Sequence, residues 1–357
     1  MLTYTDMEAR HSGAKDETIA VIDDRLSQKL SLMSLIAAAM VVMIHSFPQS
    51  AYTHFIGRYV VAALKDGICE IAVPYFFLAS GFFLASHIRE EGWYRRELKK
   101  RIRTIVIPFV IWCLIYGIYM ASRKVVGNIC SGREIFANFP HGWIALSWIG
   151  LYPLDLPIYG LLWFLRALMV YFFISPLLVF LVRKFGWCFI CFLFLLFLLV
   201  NALYPLGSGA AGRFFYFVFS VRGLAYFTLG IQLRRSPQTW RRAPFALIPG
   251  IALIVLGMFT SHIAYMRHML AVGLLLWGVF SILPDIHLSA FWRSVSFPIF
   301  LTHSFFSEPL LVFMGGQTVN CVVLAVFVFV VSLIASICLA RMIRTFPRVA
   351  AVLFGFR

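Results

Sequence analysis

The sequence predicts an all-α, polytopic integral membrane protein with about ten transmembrane helices and both termini cytoplasmic, and three observations carry that expectation. Of the 357 residues, 61% are hydrophobic and 13% charged, against roughly 45–50% and 25% in ordinary globular chains. Too little polar surface exists to cover a soluble globule of this size, so most of the outside faces lipid. The apolar residues gather in runs of about 20, the length that takes a helix across the hydrocarbon with every backbone group satisfied inside the segment. Lys and Arg fall unevenly on alternate loops, and in short loops they stay cytoplasmic. The same composition excludes disorder, and the 7 Cys, mostly inside apolar runs, exclude a disulfide scaffold. A net charge of +16 would suggest nucleic acid in a soluble chain. In this one it marks a cytoplasmic rim against membrane lipids, and no nucleic-acid partner is expected.

The elements follow in order. Residues 1–29 are polar, mixed in sign and too long for a basic leader region, so the first span, 30–47, reads as a retained anchor. The second and third spans, 68–88 and 104–122, flank the strongly basic stretch 89–103. The longest loop, 123–157, is rich in aromatics and Pro and is placed to cover a site from outside. The fourth to sixth spans are expected at 158–182, 187–204 and 214–233. The glycines of 207–212 are in the wrong order for a phosphate loop and read as a turn. Spans at 244–260, 268–284 and 294–313 carry weaker signals, and 319–340 completes the ten. With this arrangement 22 of the 31 Lys and Arg lie on the side of the termini and 7 on the other, while Arg166 and Arg222 fall inside spans. Both termini are therefore cytoplasmic. The tail, 341–357, alternates basic and apolar residues and reads as a segment on the inner leaflet.

Polar residues inside spans are the candidate functional groups, because an ionisable side chain there is costly and usually faces a protein interior or water. Seven positions stand out: His45, Glu70, Arg166, Arg222, His303, Glu308 and, at lower cost, Ser80. His45 and Glu70 lie near the outer ends of consecutive spans, which could bring them together. At about 1.5 Å per residue, Arg166 and Arg222 sit roughly 12 Å below the outer surface, too deep to reach water easily. His303 is mid-span, and Pro309 after Glu308 is expected to bend that helix. Together they outline a polar cavity open to the outside. Simpler readings stand beside these: His45 next to Pro48 as an interfacial cap, Arg166 and Arg222 as structural partners of Glu70 and Glu308, His303 as a helix-to-helix hydrogen bond, and Glu70 as a solvated side chain. Cys188 and Cys191 have CxxC spacing but no further ligands, so no metal is expected. Cys69 and Cys130 are both on the outer side, with nothing to bring them together.

Four segments in order resemble the acyltransferase 3 family of polytopic membrane acyltransferases: Met43-Ile44-His45-Ser46; Val73-Pro74-Tyr75-Phe76-Phe77-Leu78-Ala79-Ser80-Gly81-Phe82; the stretch from Lys99-Lys100-Arg101-Ile102-Arg103 through Pro108 to Trp112; and Leu162-Trp163-Phe164-Leu165-Arg166 with Ser175-Pro176 beyond. A fifth is Ser296-Phe297-Pro298-Ile299-Phe300-Leu301-Thr302-His303. The resemblance implies that 30–340 is a membrane acyltransferase domain of the inner (cytoplasmic) membrane. It would move an acyl group, most often acetyl from cytoplasmic acetyl-CoA, to a hydroxyl of an envelope glycan or lipid-linked sugar.

Against that chemistry each residue has a reading. An imidazole suits removal of a hydroxyl proton near neutral pH, so His45, matching the family's first-span His, is the candidate general base or acyl carrier. Arg101 and Arg103, matching the family's basic pair, are candidates for the donor's phosphates, although the positive-inside rule explains them equally well. Arg166 would stabilise an oxyanion or bind the acceptor, with Glu70 supplying a carboxylate and Trp163, Arg222, His303 and Glu308 lining the acceptor site. Ser80 and Gly81 are expected to allow close helix packing.

Two departures qualify the match. The family usually carries a basic residue eleven positions before the His, and this chain has Ser34; relatives often have Asp after the arginine, and this chain has Ala167. These departures favour one rival reading, a non-catalytic relative of the enzymes, while buried arginines and a polar cavity would equally serve another, a transporter or flippase of lipid-linked sugars. The oligomeric state is not legible in the sequence.

Overall fold

The computed structural model describes residues 24–88, 90–131, 159–204, 214–215, 219–236, 243–259, 264–314 and 320–355, and the described residues contain helices and no strand. The long loop 123–157 and the glycines of 207–212 lie mostly or wholly outside them. The main helices among the described residues run in this order. They are α1 Asp24–Ile44, α2 Phe55–Leu84, α3 Trp93–Cys130, α4 Trp163–Phe173, α5 Ser175–Phe185, α6 Trp187–Leu203 and α7 Val221–Arg235. After these come α8 Leu247–Phe259, α9 Ala264–Ile282, α10 Ser296–Met314, α11 Cys321–Arg344 and α12 Pro347–Phe354.

The ten expected spans all fall on helices, but they are unequal. Among the described residues, α1, α2, α3, α10 and α11 are long and apolar enough to cross a membrane, and α4 with α5 makes a sixth if the bent pair counts as one span. Trp187–Leu203, Pro244–Leu256 and Leu270–Ile282 are shorter apolar helices. The expected span 214–233 is a 15-residue helix starting only at Val221. Conversely, α2 and α3 extend well beyond the expected 68–88 and 104–122.

The fourth span bends by 68° between α4 and α5. Pro176 explains the bend: it has no N–H to donate, and its ring cannot sit against the carbonyl four residues earlier, that of Phe172. The freed carbonyls are taken up locally, Phe172 O by the Ser175 hydroxyl at 2.8 Å and Phe173 O by the Tyr94 hydroxyl at 2.9 Å. Backbone groups away from water therefore keep their partners despite the break. Pro309 lies inside a helix. The helix continues through it, and the interruption of α10 falls earlier, at His303 between Ser296–Thr302 and Ser304–Met314.

The centre of the bundle is α2, buried at most positions from Ala72 to Leu84, packed on α7. Two glycines set that distance. A methyl group built on Gly81 would lie 1.9 Å from the Phe227 carbonyl oxygen, and one on Gly230 would lie 2.0 Å from the Leu78 oxygen. The expected close approach at Ser80–Gly81 is thus present, and α7 answers it with a glycine of its own. Around this pair α1 buries one stripe, Leu30, Met33, Ala37, Ala38, Val41 and Val42, at the spacing of a single helical face. Phe77 stacks into α4 with its ring 4.6 Å from Phe164 and 5.5 Å from Tyr171. Facing outward, α6 leaves Phe192, Leu195 and Leu199 exposed, and α11 leaves Val323, Phe327, Val330 and Ile334, apolar surfaces of the kind that suits lipid.

The tail carries a helix of its own, exposed along most of its length and anchored at two buried positions, Ala350 and Phe354. Its helix α12 docks on α3, with the Trp112 indole N–H donating to Leu353 O at 2.8 Å and Phe354 stacked on Trp112 at 6.0 Å. Gly355 ends it at φ +65, where a side chain would also collide with the Thr104 backbone, so the position requires glycine.

Candidate functional site

The two histidines of the sequence analysis meet. His45 stands one residue past the end of α1, and His303 occupies the break in α10; their ring centroids are 5.3 Å apart with the planes tilted by 43°. Their surroundings differ sharply. His45 is exposed, whereas His303 is fully buried. The Nδ1 of His303 lies 2.9 Å from Phe300 O and 3.1 Å from Ile299 O. Carbonyl oxygens only accept, so Nδ1 carries the proton and donates it. That assignment leaves Nε2 as a bare acceptor, and it is buried without a hydrogen-bond partner. Three turns of chain from three helices pack their rings together one turn before His303: Phe76, Phe164 and Phe300, with ring separations of 5.6 to 6.3 Å.

Farther along α10 lies a second polar group. Glu308 Oε2 accepts from the Tyr116 hydroxyl of α3 at 2.9 Å, so its structural partner is a tyrosine, not one of the buried arginines. Tyr116 is stacked on Tyr159 at 4.4 Å and 15°, and the Tyr159 hydroxyl donates to Leu301 O at 2.7 Å. These two tyrosines were not singled out in the sequence. The available signal was a phenol inside an apolar helix, because a buried hydroxyl must find a partner.

Arg222 and Glu70 pair with each other. The guanidinium reaches Glu70 Oε2 at 2.9 Å and the Glu70 backbone oxygen at 3.4 Å. The carboxylate expected beside His45 is therefore engaged by α7, which agrees with the reading of Arg222 as a structural partner. Arg166 is buried on α4 at 7% exposure, within electrostatic reach of Cys113 on α3. Trp163, one turn before it, is half-buried, with its ring 6.1 Å from Phe77.

The two basic candidates at the other end of α3 are not equivalent. Arg101 donates to Glu97 Oε2 at 3.2 Å and lies 4.3 Å over the Phe172 ring. Arg103 is exposed in a wide turn, Ile102–Val106, a distortion frequent at functional sites. Ser34, at the position where a basic residue was expected, is absorbed into packing. Its hydroxyl donates to Leu30 O at 2.8 Å and lies 3.1 Å from the Tyr75 hydroxyl, tying α1 to α2. Ala167 is fully buried.

All seven cysteines are free, with Cys69 buried and Cys130, Cys188 and Cys191 exposed. Among the described residues no three His, Cys, Asp or Glu side chains gather as a metal site would require.

Residues 28–341 match the family model described as an acyltransferase domain. The chain is 28% identical over 196 residues to the succinoglycan biosynthesis protein ExoH of Rhizobium meliloti (strain 1021), a stretch that covers 53% of this chain and 50% of that protein. It thus spans about half the length of the curated relative it matches. No solved structure matches the chain.

Proposed function

The chain belongs to the acyltransferase domain family, and from that membership we propose that it is a membrane O-acyltransferase carrying an acetyl group from cytoplasmic acetyl-CoA to a hydroxyl of an envelope polysaccharide or lipid-linked sugar. A relative named for succinoglycan biosynthesis favours a polysaccharide acceptor. The observation that carries the reading is the pair of imidazoles, His45 and His303, whose ring centroids lie 5.3 Å apart. An imidazole at the end of α1, beside a second one with a bare acceptor nitrogen, is equipped to take a hydroxyl proton or to hold an acyl group.

In this reading residues 30–340 form the transferring unit, crossed by ten spans in the inner membrane, with 1–29 and 341–357 on the cytoplasmic side. Acetyl-CoA enters between α3 and its neighbours, where Arg103 is free to meet phosphate and Arg101 can exchange Glu97 for it. Arg166 faces the charge that develops on the carbonyl oxygen. Trp163, Arg222, His303 and Glu308 line the acceptor side, and Glu70 holds Arg222 in place.

Mass spectrometry of envelope glycans from cells with and without the protein tests the proposal. A loss of acetyl mass in its absence supports it, and unchanged glycans together with no acetyl transfer by isolated membranes refute it.

A further inference from the structure

His303 is built in a way that a purely structural histidine does not need. Its ring bonds back to its own helix through Nδ1, which any donor could do. The other nitrogen is fully buried, unpartnered, and belongs to a ring next to His45. A buried acceptor left unpaired is costly, and an apolar side chain of similar shape would avoid that cost. The Nδ1 contacts to two carbonyls also fix the tautomer before any substrate arrives, so Nε2 is held ready as an acceptor.

Resting on the acyl-transfer reading, we infer that His303 is the base that deprotonates the acceptor hydroxyl while His45 carries the acyl group, so that the two rings divide the reaction between them. In the first half a ring nitrogen of His45 attacks the thioester carbonyl. The C–S bond breaks, and the departing CoA thiolate takes the proton released by the other nitrogen of His45. In the second half the acceptor O–H gives its proton to Nε2 of His303, and its oxygen attacks the acyl-imidazole. The C–N bond breaks, its electron pair returns to the His45 ring, and the proton held by His303 passes to that ring. Both histidines end neutral and the new ester leaves. The short separation has a reason in this scheme, because the departing imidazole needs a proton from a donor next to it.

The test uses membranes of the producing cell, which hold the full-length protein together with its own glycans, supplied with radiolabelled acetyl-CoA. His303→Asn keeps an amide donor for the Ile299 and Phe300 carbonyls and removes the acceptor at Nε2; His303→Gln fills more of the ring's space and serves if the Asn variant misfolds. The expected result is a fall in glycan labelling of roughly a hundredfold or more, with label retained on His45 at up to one acetyl per chain, located by peptide mass spectrometry. Wild-type protein passes its label on. Glycan labelling at the wild-type rate in either folded variant overturns the inference, as does loss of labelling with no acetyl found on His45. If the wild-type membranes transfer nothing, the acyl-transfer reading itself falls, an outcome separate from a failure of the His303 variants alone.

Discussion

Glu70 and Arg222, 152 residues apart in the chain, meet at 2.9 Å between α2 and α7. Neither is well solvated, with side chains 30% and 23% exposed, so removing one leaves the other poorly compensated. Glu70→Gln and Arg222→Met are each expected to lower stability by about 1–3 kcal/mol, between the values for exposed and fully buried pairs. The double variant is expected to lose less than the sum. Thermal unfolding of the four proteins in one detergent measures the coupling, and strictly additive losses would contradict a direct interaction.

The contact of Gly81 with the Phe227 carbonyl makes a sharper demand. A methyl group has no space there, and the obstacle is backbone, which cannot rotate away. Gly81→Ala should therefore separate α2 from α7 and cost about 3 kcal/mol or more, the upper part of the overpacking range. Gly127 on α3 is the control, since nothing lies within 4 Å of a methyl group built on it. Gly127→Ala is expected to be neutral or to stabilise by about 0.5–1 kcal/mol. Equal effects at the two sites would show that the close approach is not a constraint.

Loss of the exposed imidazole should abolish chemistry without loss of fold. His45→Ala touches no buried hydrogen bond of the described core, so its thermal unfolding should stay near wild type while acetyl transfer falls by roughly 10²–10⁴-fold. Membranes carrying the variant, assayed with labelled acetyl-CoA and extracted glycans, decide the matter. Wild-type labelling would remove His45 from the mechanism.

Donor binding should be visible as stabilisation, because a ligand that prefers the folded protein raises its apparent stability, by about 2.7 kcal/mol at a hundred times its Kd. Coenzyme A is expected to raise the unfolding temperature of the purified protein. Arg103→Ala should shrink that shift, and Glu97→Gln, which removes the negative charge that Arg101 meets at 3.2 Å, should preserve or enlarge it. A flippase has no reason to respond to coenzyme A, so a flat response favours that rival.

Several parts of this protein were legible in its residues alone. The apolar runs placed a helix at every expected span, since hydrocarbon forces the backbone to bond within each segment. The family resemblance was carried by short motifs within those same runs, and the Ser80–Gly81 pair announced a close crossing. The histidines at positions 45 and 303 stood out because polarity is expensive where they lie. Which polar groups meet was another matter. Pairing Glu70 with Arg222, Glu308 with Tyr116 and Ser34 with Tyr75 joins α2 to α7, α10 to α3 and α1 to α2, and no local spacing encodes the rotation of one helix against another. The interruption of α10 at His303 and the docking of the tail helix on Trp112 of α3 have the same origin. Length and hydropathy are properties of a single segment, so the chain wrote them openly; the site is a property of several helix faces at once, settled when glycine-sized gaps and bulky rings fixed how those faces turn toward each other.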